Sequence, residues 1–466
     1  MATTNTQKQR IVIIPSPGMG HLIPLVEFAK LLHSHHFLIS ILLPSSSPPT
    51  TAQTTFLATL PPAISHTFLP PVDPTLLPPT AFHSVIIYHI HLNSISSVRS
   101  ALVSLSNVVA VVTDLFGTDY FDVARETGIA PYMYFTSNAF CLSFVSRLPK
   151  LDETVPFPFP YQCLEHPLVL PGCVPLNGKD FDQPTLDRQS EEYKLELYHS
   201  RRYNLAEGIF INTFFDLEPG ALHGLKSDDV IRTSIYPIGP IIQSGSDDGD
   251  NVTLSWLDRK PPGSVLFVSF GSGGTLSFQQ IKELAIGLEK SGLTFLWVVK
   301  APDDESACGS FFGSQNQQHD YNCFDFLPKG YVERIKDRGL LVPFWAPQVN
   351  ILAHESTGGF LTHCGWNSIL ESIVYGVPLI AWPLYAEQRM NAVMLNKGLK
   401  VALRTNDNER GFVGADEIAR VVNVLMNGEE GEKARDRMKE LSEAAKKATS
   451  EGGDSTKVIS QVALKW

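Results

Sequence analysis

Two stretches of this chain follow the same order of elements, and that order limits the fold more than any other feature. Residues 11–14 are an apolar run, 16–21 a glycine-containing loop, 25–32 an amphipathic segment of helical period, and 37–43 a second apolar run. The order restarts after Ser264: apolar residues 265–270, the loop Gly271-Ser272-Gly273-Gly274, a helical stretch over 278–290 and an apolar run over 295–299. Strand, loop, helix, strand is the βαβ unit, which makes parallel strands and lays helices on the sheet faces. Further short strands are expected at 66–69 and 108–113 in the first half, and at 340–343, 359–362 and 378–381 in the second. The chain is therefore read as α/β, with two doubly wound parallel sheets.

A length of 466 residues exceeds what a single core usually serves, so two domains are expected. The boundaries are drawn at 1–242, a polar Ser/Gly/Asp-rich linker at 243–252, 253–450, and a last segment at 451–466. A net charge of −11 with no clustered Lys or Arg argues against nucleic acid as a partner. The polar start and the stop of the first apolar run at Pro15 leave no room for a signal core or a membrane span, so a cytoplasmic protein is expected. Six cysteines without Cys-x-x-Cys spacing suggest neither a zinc site nor a disulfide framework, and the sequon at Asn251 is read as chance. Residues 301–322 are too long for a routine connection and suit a substrate-facing loop as readily as a plain surface segment.

In a doubly wound sheet ligands bind at the carboxyl ends of the strands, where the strand order reverses. His21 follows the first strand, after Gly18 and Gly20, and Asp114 ends the fourth, which neighbours the first in Rossmann order. The carboxylate would fix the imidazole's tautomer while the other ring nitrogen takes a proton from an acceptor hydroxyl. Asp114 as a cap on the next segment is the plainer alternative.

In the second half, polar residues gather at strand ends and one helix start: Trp345-Ala346-Pro347-Gln348, then His363-Cys364-Gly365-Trp366-Asn367-Ser368, Glu371, and Trp382-Pro383-Leu384-Tyr385-Ala386-Glu387-Gln388. Gly365 to Ser368 would open a helix whose N–H groups and dipole attract phosphate, with His363 as a further donor. Asn367, Ser368 and Glu371 share a helical face, where the carboxylate can accept both hydroxyls of a ribose. Trp345 offers a plane on which a base can stack. Singly, each residue has an ordinary structural reading; the combination carries the argument.

The run from Trp345 to Gln388 resembles the signature box of plant secondary-product UDP-glycosyltransferases (family 1), and the subgroup it is most similar to is that of hydroquinone, arbutin-synthase-like glucosyltransferases. Pro15 to His21, Asp114-Leu115-Phe116-Gly117 and Ser269 to Ser272 match as well, so the resemblance spans the chain. It implies a glycosyltransferase B type fold, two Rossmann-like domains facing across a cleft. The acceptor would lie in the first half and UDP-glucose in the second, with the last segment packing back on the first domain. It further implies that Trp345 stacks on uracil, that Ala346 and Gln348 contact the nucleoside, and that Glu371 holds the ribose. Ser272, His363, Gly365, Trp366, Asn367 and Ser368 would meet the diphosphate, Glu387 and Gln388 the sugar hydroxyls, and Tyr385 would belong to the same UDP-sugar site. His21 would be the base, oriented by Asp114, giving an inverted β-O-glucoside of a small phenolic acceptor in plant secondary metabolism. Phe82, Phe116 and Phe140, with residues near Tyr321, are candidate acceptor walls, although each aromatic taken singly is more often core material.

No cofactor and no metal are expected beyond UDP-glucose as donor substrate. Asp180-Phe181-Asp182 and Asp248-Gly249-Asp250 are read as solvated or capping residues. A monomer is expected. Ile369 and Tyr375 depart from the box pattern without removing a donor contact. Two rivals are a silent UDP-sugar binder, which the pair His21 and Asp114 disfavours, and a UDP-sugar epimerase, which the box disfavours.

Overall fold

A computed structural model of the chain describes residues 8–78, 82–227, 230–243, 251–307, 324–406 and 411–466. It divides into two compact units: Met1–Lys179 with Pro184–Ile241 and Lys447–Trp466, and Asp180–Gln183 with Ile242–Lys446. The Asp248 and Asp250 string, Tyr321, and most of the expected linker and of the long 301–322 segment lie outside the described residues.

The first unit holds seven parallel strands: β1 Arg10–Ile14, β2 Leu38–Leu43, β3 Ile64–Phe68, β4 Val108–Asp114, β5 Ala130–Phe135, β6 Gly208–Ile211 and β7 Ser234–Pro237. Their order is β3-β2-β1-β4-β5-β6-β7, so the reversal falls between β1 and β4. The reason for the continuous apolar run of β1 is visible in its packing. Ile11 and Ile13 face Leu22, Leu25, Phe28 and Leu32 of the helix Met19–Ser34. Val12 and Ile14 face the opposite layer with Val98, Leu102 and Tyr120. At the edge, β3 is largely exposed and reads Ile-Ser-His-Thr-Phe, too polar to be a two-faced core strand.

The first helix begins at Met19, six residues before the expected start, and encloses Pro24. A proline ordinarily marks a helix's first turn, which places the start too late when read from sequence alone. His21 therefore sits in the first turn of the helix rather than in a loop. At the other end of the chain, the helix Asp454–Ala463 inserts Ile459 and Val462 into the core of the first unit. Trp466 lies edge-on to Phe37 and Tyr132 at 5.6 and 5.0 Å, and Ser455 Oγ donates to the Gly239 carbonyl at 2.5 Å.

The second unit holds β8 Val265–Ser269, β9 Thr294–Val299, β10 Gly339–Pro343, β11 Thr357–Thr362, β12 Leu379–Ala381 and β13 Ala402–Arg404. All are parallel, in the order β10-β9-β8-β11-β12-β13, with the reversal between β8 and β11. Leu266 and Val268 pack against Ile281, Leu284 and Leu288 of the helix Phe278–Ser291. Ser277 caps that helix by accepting the Gln280 N–H, and Gly292 ends it at φ 72°, a backbone angle that favours glycine.

One expectation is corrected here. Asp180 is neither solvated nor a cap: it is 3% exposed and pairs with Arg404 at 2.9 Å within the second unit. A buried carboxylate requires such a partner, and no local spacing signals a guanidinium 224 residues away.

Candidate active site

Strand register builds the polar cluster of the first unit. Ile14 of β1 lies beside Thr113 of β4, so the residues just beyond them, Ser16 and Asp114, meet at the carboxyl edge. Asp114 is wholly buried and accepts from Ser16 N (2.7 Å), Ser16 Oγ (2.6 Å), Phe116 N (3.2 Å) and His21 Nδ1 (3.0 Å). Burial alone would push its carboxyl up, but the charge and hydrogen bond of His21, the His91 imidazole and the Ser16 hydroxyl outweigh it and bring it down to about 2.

The protons follow from that ionised state. A carboxylate only accepts, so His21 Nδ1 carries hydrogen and Nε2 is left as the basic nitrogen. The single Ser16 hydroxyl hydrogen also goes to Asp114, so Ser16 Oγ accepts from His91 Nε2 at 2.7 Å. His91 Nδ1 then accepts from the Tyr120 hydroxyl at 3.0 Å. Burial lowers His91 to about 4, which keeps it neutral and consistent with this order. The donors thus converge on Asp114, from Tyr120 through His91 and Ser16 on one side and from His21 on the other.

Of the aromatic residues expected near the acceptor, Phe116 lies beside the imidazole, ring centroids 5.5 Å apart. Phe82 is exposed at the start of the helix His83–Ser104, whereas Phe140 is 2% exposed and donates its backbone N–H to Glu218. Neither is placed against His21 by any contact among the described residues.

In the second unit, Thr362 of β11 pairs with Ser269 of β8, which sets His363 beside Gly271. A Cβ added at Gly271 would fall 2.5 Å from the imidazole, and one at Gly365 only 2.4 Å from its Nε2, so His363 is clamped between two bare backbones. Gly271 also sits at φ 70°. Burial, then the charge of Lys300, lowers His363 to about 3, so it acts as a neutral donor. Gly365 opens the helix Trp366–Tyr375 and brings no side chain to cap its first N–H groups. Cys364, just before it, is held at φ 68°, and its carbonyl accepts from the buried Asn391 side chain at 2.9 Å.

On that helix, Ser368 and Glu371 are both bonded by Gln348 Nε2, at 2.8 and 2.6 Å. Burial raises Glu371 to about 7 despite the Gln348 bond. Trp345 is 67% exposed, unlike Trp366 and Trp382, which are core. Ala346, next in the chain, is buried. In the loop after β12, Gln388 Oε1 accepts the Leu384 and Tyr385 N–H groups at 2.9 and 3.0 Å, and Glu387 accepts from Asn391 at 3.2 Å. Gln183 completes this loop by exchanging two bonds with the Ala386 backbone, at 3.2 and 3.3 Å, where Ala386 has φ 51°. Trp345, Gln348, His363, Gly365, Asn367, Ser368 and Glu371 are thus assembled about one strand edge and helix start.

Sequence reasoning did not single out Ser16 by role, nor His91, Tyr120, Gln183, Lys300 or Asn391. His91 and Tyr120 had no signal beyond being polar residues among apolar neighbours. Lys300 had one: it directly follows a strand whose neighbour carries the glycine loop. Among the described residues, no group of three or more His, Cys, Asp or Glu is placed to hold a metal, and no helix is long and apolar enough to cross a membrane.

Two Rossmann-like parallel sheets, each with its polar residues at the carboxyl edge of the reversal, define a glycosyltransferase of the B type. A family profile described as UDP-glucoronosyl and UDP-glucosyl transferase matches residues 260–430. Hydroquinone glucosyltransferase of Rauvolfia serpentina is 51% identical over 462 residues, covering 98% of this chain and 97% of that protein. UDP-glycosyltransferase 72B1 of Arabidopsis thaliana is 50% identical over 465 residues, covering 98% and 96%. The structure of Phytolacca americana UGT2 complexed with UDP-2fluoro-glucose and pterostilbene superposes with a TM-score of 0.91 at 61% identity, covering 99% of this chain and 100% of that one. The chain belongs to this family and is a UDP-glycosyltransferase.

Proposed function

We propose that this enzyme transfers glucose from UDP-glucose to the hydroxyl of small phenolic acceptors, with inversion at the anomeric carbon. The observation that carries the reading is the 3.0 Å bond from His21 Nδ1 to a buried, ionised Asp114. It leaves His21 Nε2 as the nitrogen that takes the acceptor's proton, while Asp114 stabilises the imidazolium that forms. The phenoxide attacks the anomeric carbon from the face opposite UDP, so an α-linked donor gives a β-glucoside. A phenol, ionising near 10 like tyrosine, is a far easier substrate for an imidazole base than an alkyl alcohol.

The second unit is assigned the donor. Trp345 stacks on uracil, the Ala346 backbone and Gln348 meet the nucleoside, and Glu371 holds the ribose. Ser272, His363, Asn367, Ser368 and the helix start at Gly365 and Trp366 meet the diphosphate, where fixed N–H dipoles stabilise the leaving UDP. Gln388 spends its amide oxygen within its own loop, so its amide NH2, with Glu387 and Tyr385, is assigned to the sugar. The relatives support donor and acceptor class: one is named for hydroquinone, and one structure is complexed with UDP-2fluoro-glucose and pterostilbene, hydroquinone and pterostilbene both being phenols.

The test incubates the protein with UDP-glucose and hydroquinone in EDTA, and reads the product by mass and by the anomeric proton coupling. A β-glucoside that disappears with His21→Ala and Asp114→Asn supports the proposal. An α-glucoside, or full turnover by His21→Ala, refutes it.

A further inference from the structure

Lys300 follows β9 directly. Val268 of β8 pairs with Trp297 of β9, so three residues beyond that pair Lys300 comes level with Gly271. There its ammonium donates to two carbonyls of the glycine loop, those of Gly271 and Ser272, the second at 2.6 Å. Burial alone brings it down to about 8, and among the described residues no carboxylate forms an ion pair with it. The titratable group that faces it is His363, itself lowered by the lysine's charge.

Two consequences follow. A trans peptide is planar, with C=O and N–H pointing in opposite directions. Drawing the Gly271 and Ser272 carbonyls toward the ammonium therefore turns the Ser272 and Gly273 N–H groups to the other side. The second consequence concerns charge. A half-buried cation without an acid beside it lacks a counter-ion, and the same turn lies against His363, the residue assigned to phosphate.

We infer that Lys300 is a positioning residue for the donor diphosphate: it braces the turn so that its N–H groups face the diphosphate, and its charge is neutralised when that anion binds. The inference rests on the donor-site reading above. Its role runs through the loop peptides and requires no direct contact with the ligand.

Titration calorimetry of UDP and of uridine tests it at pH 8, in buffers of different ionisation enthalpy. UDP carries a fully ionised phosphate there, since the second ionisation lies near 6. Wild type is expected to take up a few tenths of a proton, at most about a half, because a lysine near 8 is half-protonated in the free protein and the anion completes it. Lys300→Arg, always charged, binds UDP without that uptake. Lys300→Met loses about tenfold or more in UDP affinity but less than about twofold for uridine. If wild type takes up no proton, or Lys300→Arg takes up as much, the inference is overturned; this arm stands even where Lys300→Met does not fold.

Trp345→Ala separates the two readings. If it leaves uridine and UDP binding as in wild type, the donor-site assignment itself fails. If it weakens both while Lys300→Met binds UDP as tightly as wild type, only the role of Lys300 fails.

Discussion

Glu371→Gln should stabilise the free protein more at alkaline than at acid pH, and the structure sets the size of the effect. Burial raises this carboxyl from 4.5 to about 7. An acid whose folded-state value is raised contributes stability below its unfolded value, and that contribution is lost as pH rises toward the folded one. At about 1.4 kcal/mol per unit, the full loss is about 3 kcal/mol above pH 7. Roughly a third of it is already present at pH 5.5, so about 2 kcal/mol should appear between pH 5.5 and 8.5. Glutamine keeps the shape but cannot ionise. The gap in Tm between variant and wild type should therefore widen by about 4–8 °C over that interval, using the usual scaling for a domain of about 200 residues. Any constant cost of the amide against Gln348 cancels in this difference. Thermal melts without ligand decide it: a gap that is flat with pH, or that narrows toward pH 8.5, refutes the claim that Glu371 is held as a costly carboxylate awaiting partners. If those partners are the ribose hydroxyls, the same variant should bind uridine about tenfold more weakly at pH 8.

Other substitutions give separate readings. Asp114→Asn leaves one oxygen where Ser16 N and Phe116 N bond different carboxylate oxygens, so one of these N–H groups loses its acceptor, and kcat should fall by about two to four orders of magnitude as the imidazolium loses its carboxylate; steady-state kinetics on hydroquinone measures it, with a thermal melt to confirm the fold. Ser16→Ala removes one side-chain donor that holds Asp114 low while both backbone donors stay, so the carboxylate draws more strongly on the imidazolium. The acid limb of kcat/KM should move upward by about half a unit, with the alkaline rate nearly kept; an unmoved limb contradicts the charge-sharing role given to the serine. Gln183→Ala removes the side-chain oxygen that accepts the Ala386 N–H while the backbone bond to the Ala386 carbonyl stays, and should raise KM for UDP-glucose about threefold while leaving UDP affinity unchanged, as inhibition by UDP would show.

How much could be read beforehand depends on how local each signal is. Strands buried on both faces, such as β1, β4 and β8, announce themselves as unbroken apolar runs. Strand β5 hides behind Pro131, β6 has four residues, β13 has three, and β7 is a half-exposed edge. The pairing of His21 with Asp114 was legible because strand order alone brings the ends of β1 and β4 together. His91 was not, for it reaches Ser16 from a helix 75 residues further on, and helix placement over a sheet is a matter of packing that no short motif encodes. The box from Trp345 to Gln388 was legible as a combination. The devices that hold it in shape, Asn391 on the Cys364 carbonyl and Gln183 on Ala386, act through backbone atoms and leave no mark in side-chain pattern.

The exposed indole of Trp345 also makes the protein its own optical sensor. Of the six tryptophans, four are 9% exposed or less, Trp466 is half-covered, and only Trp345 stands two-thirds in water. Its emission should form the red edge of the spectrum, where the buried indoles contribute little. A nucleotide base laid on that ring would quench the red edge selectively, so occupancy of one particular surface can be followed in real time without a label, a coupled enzyme or any turnover.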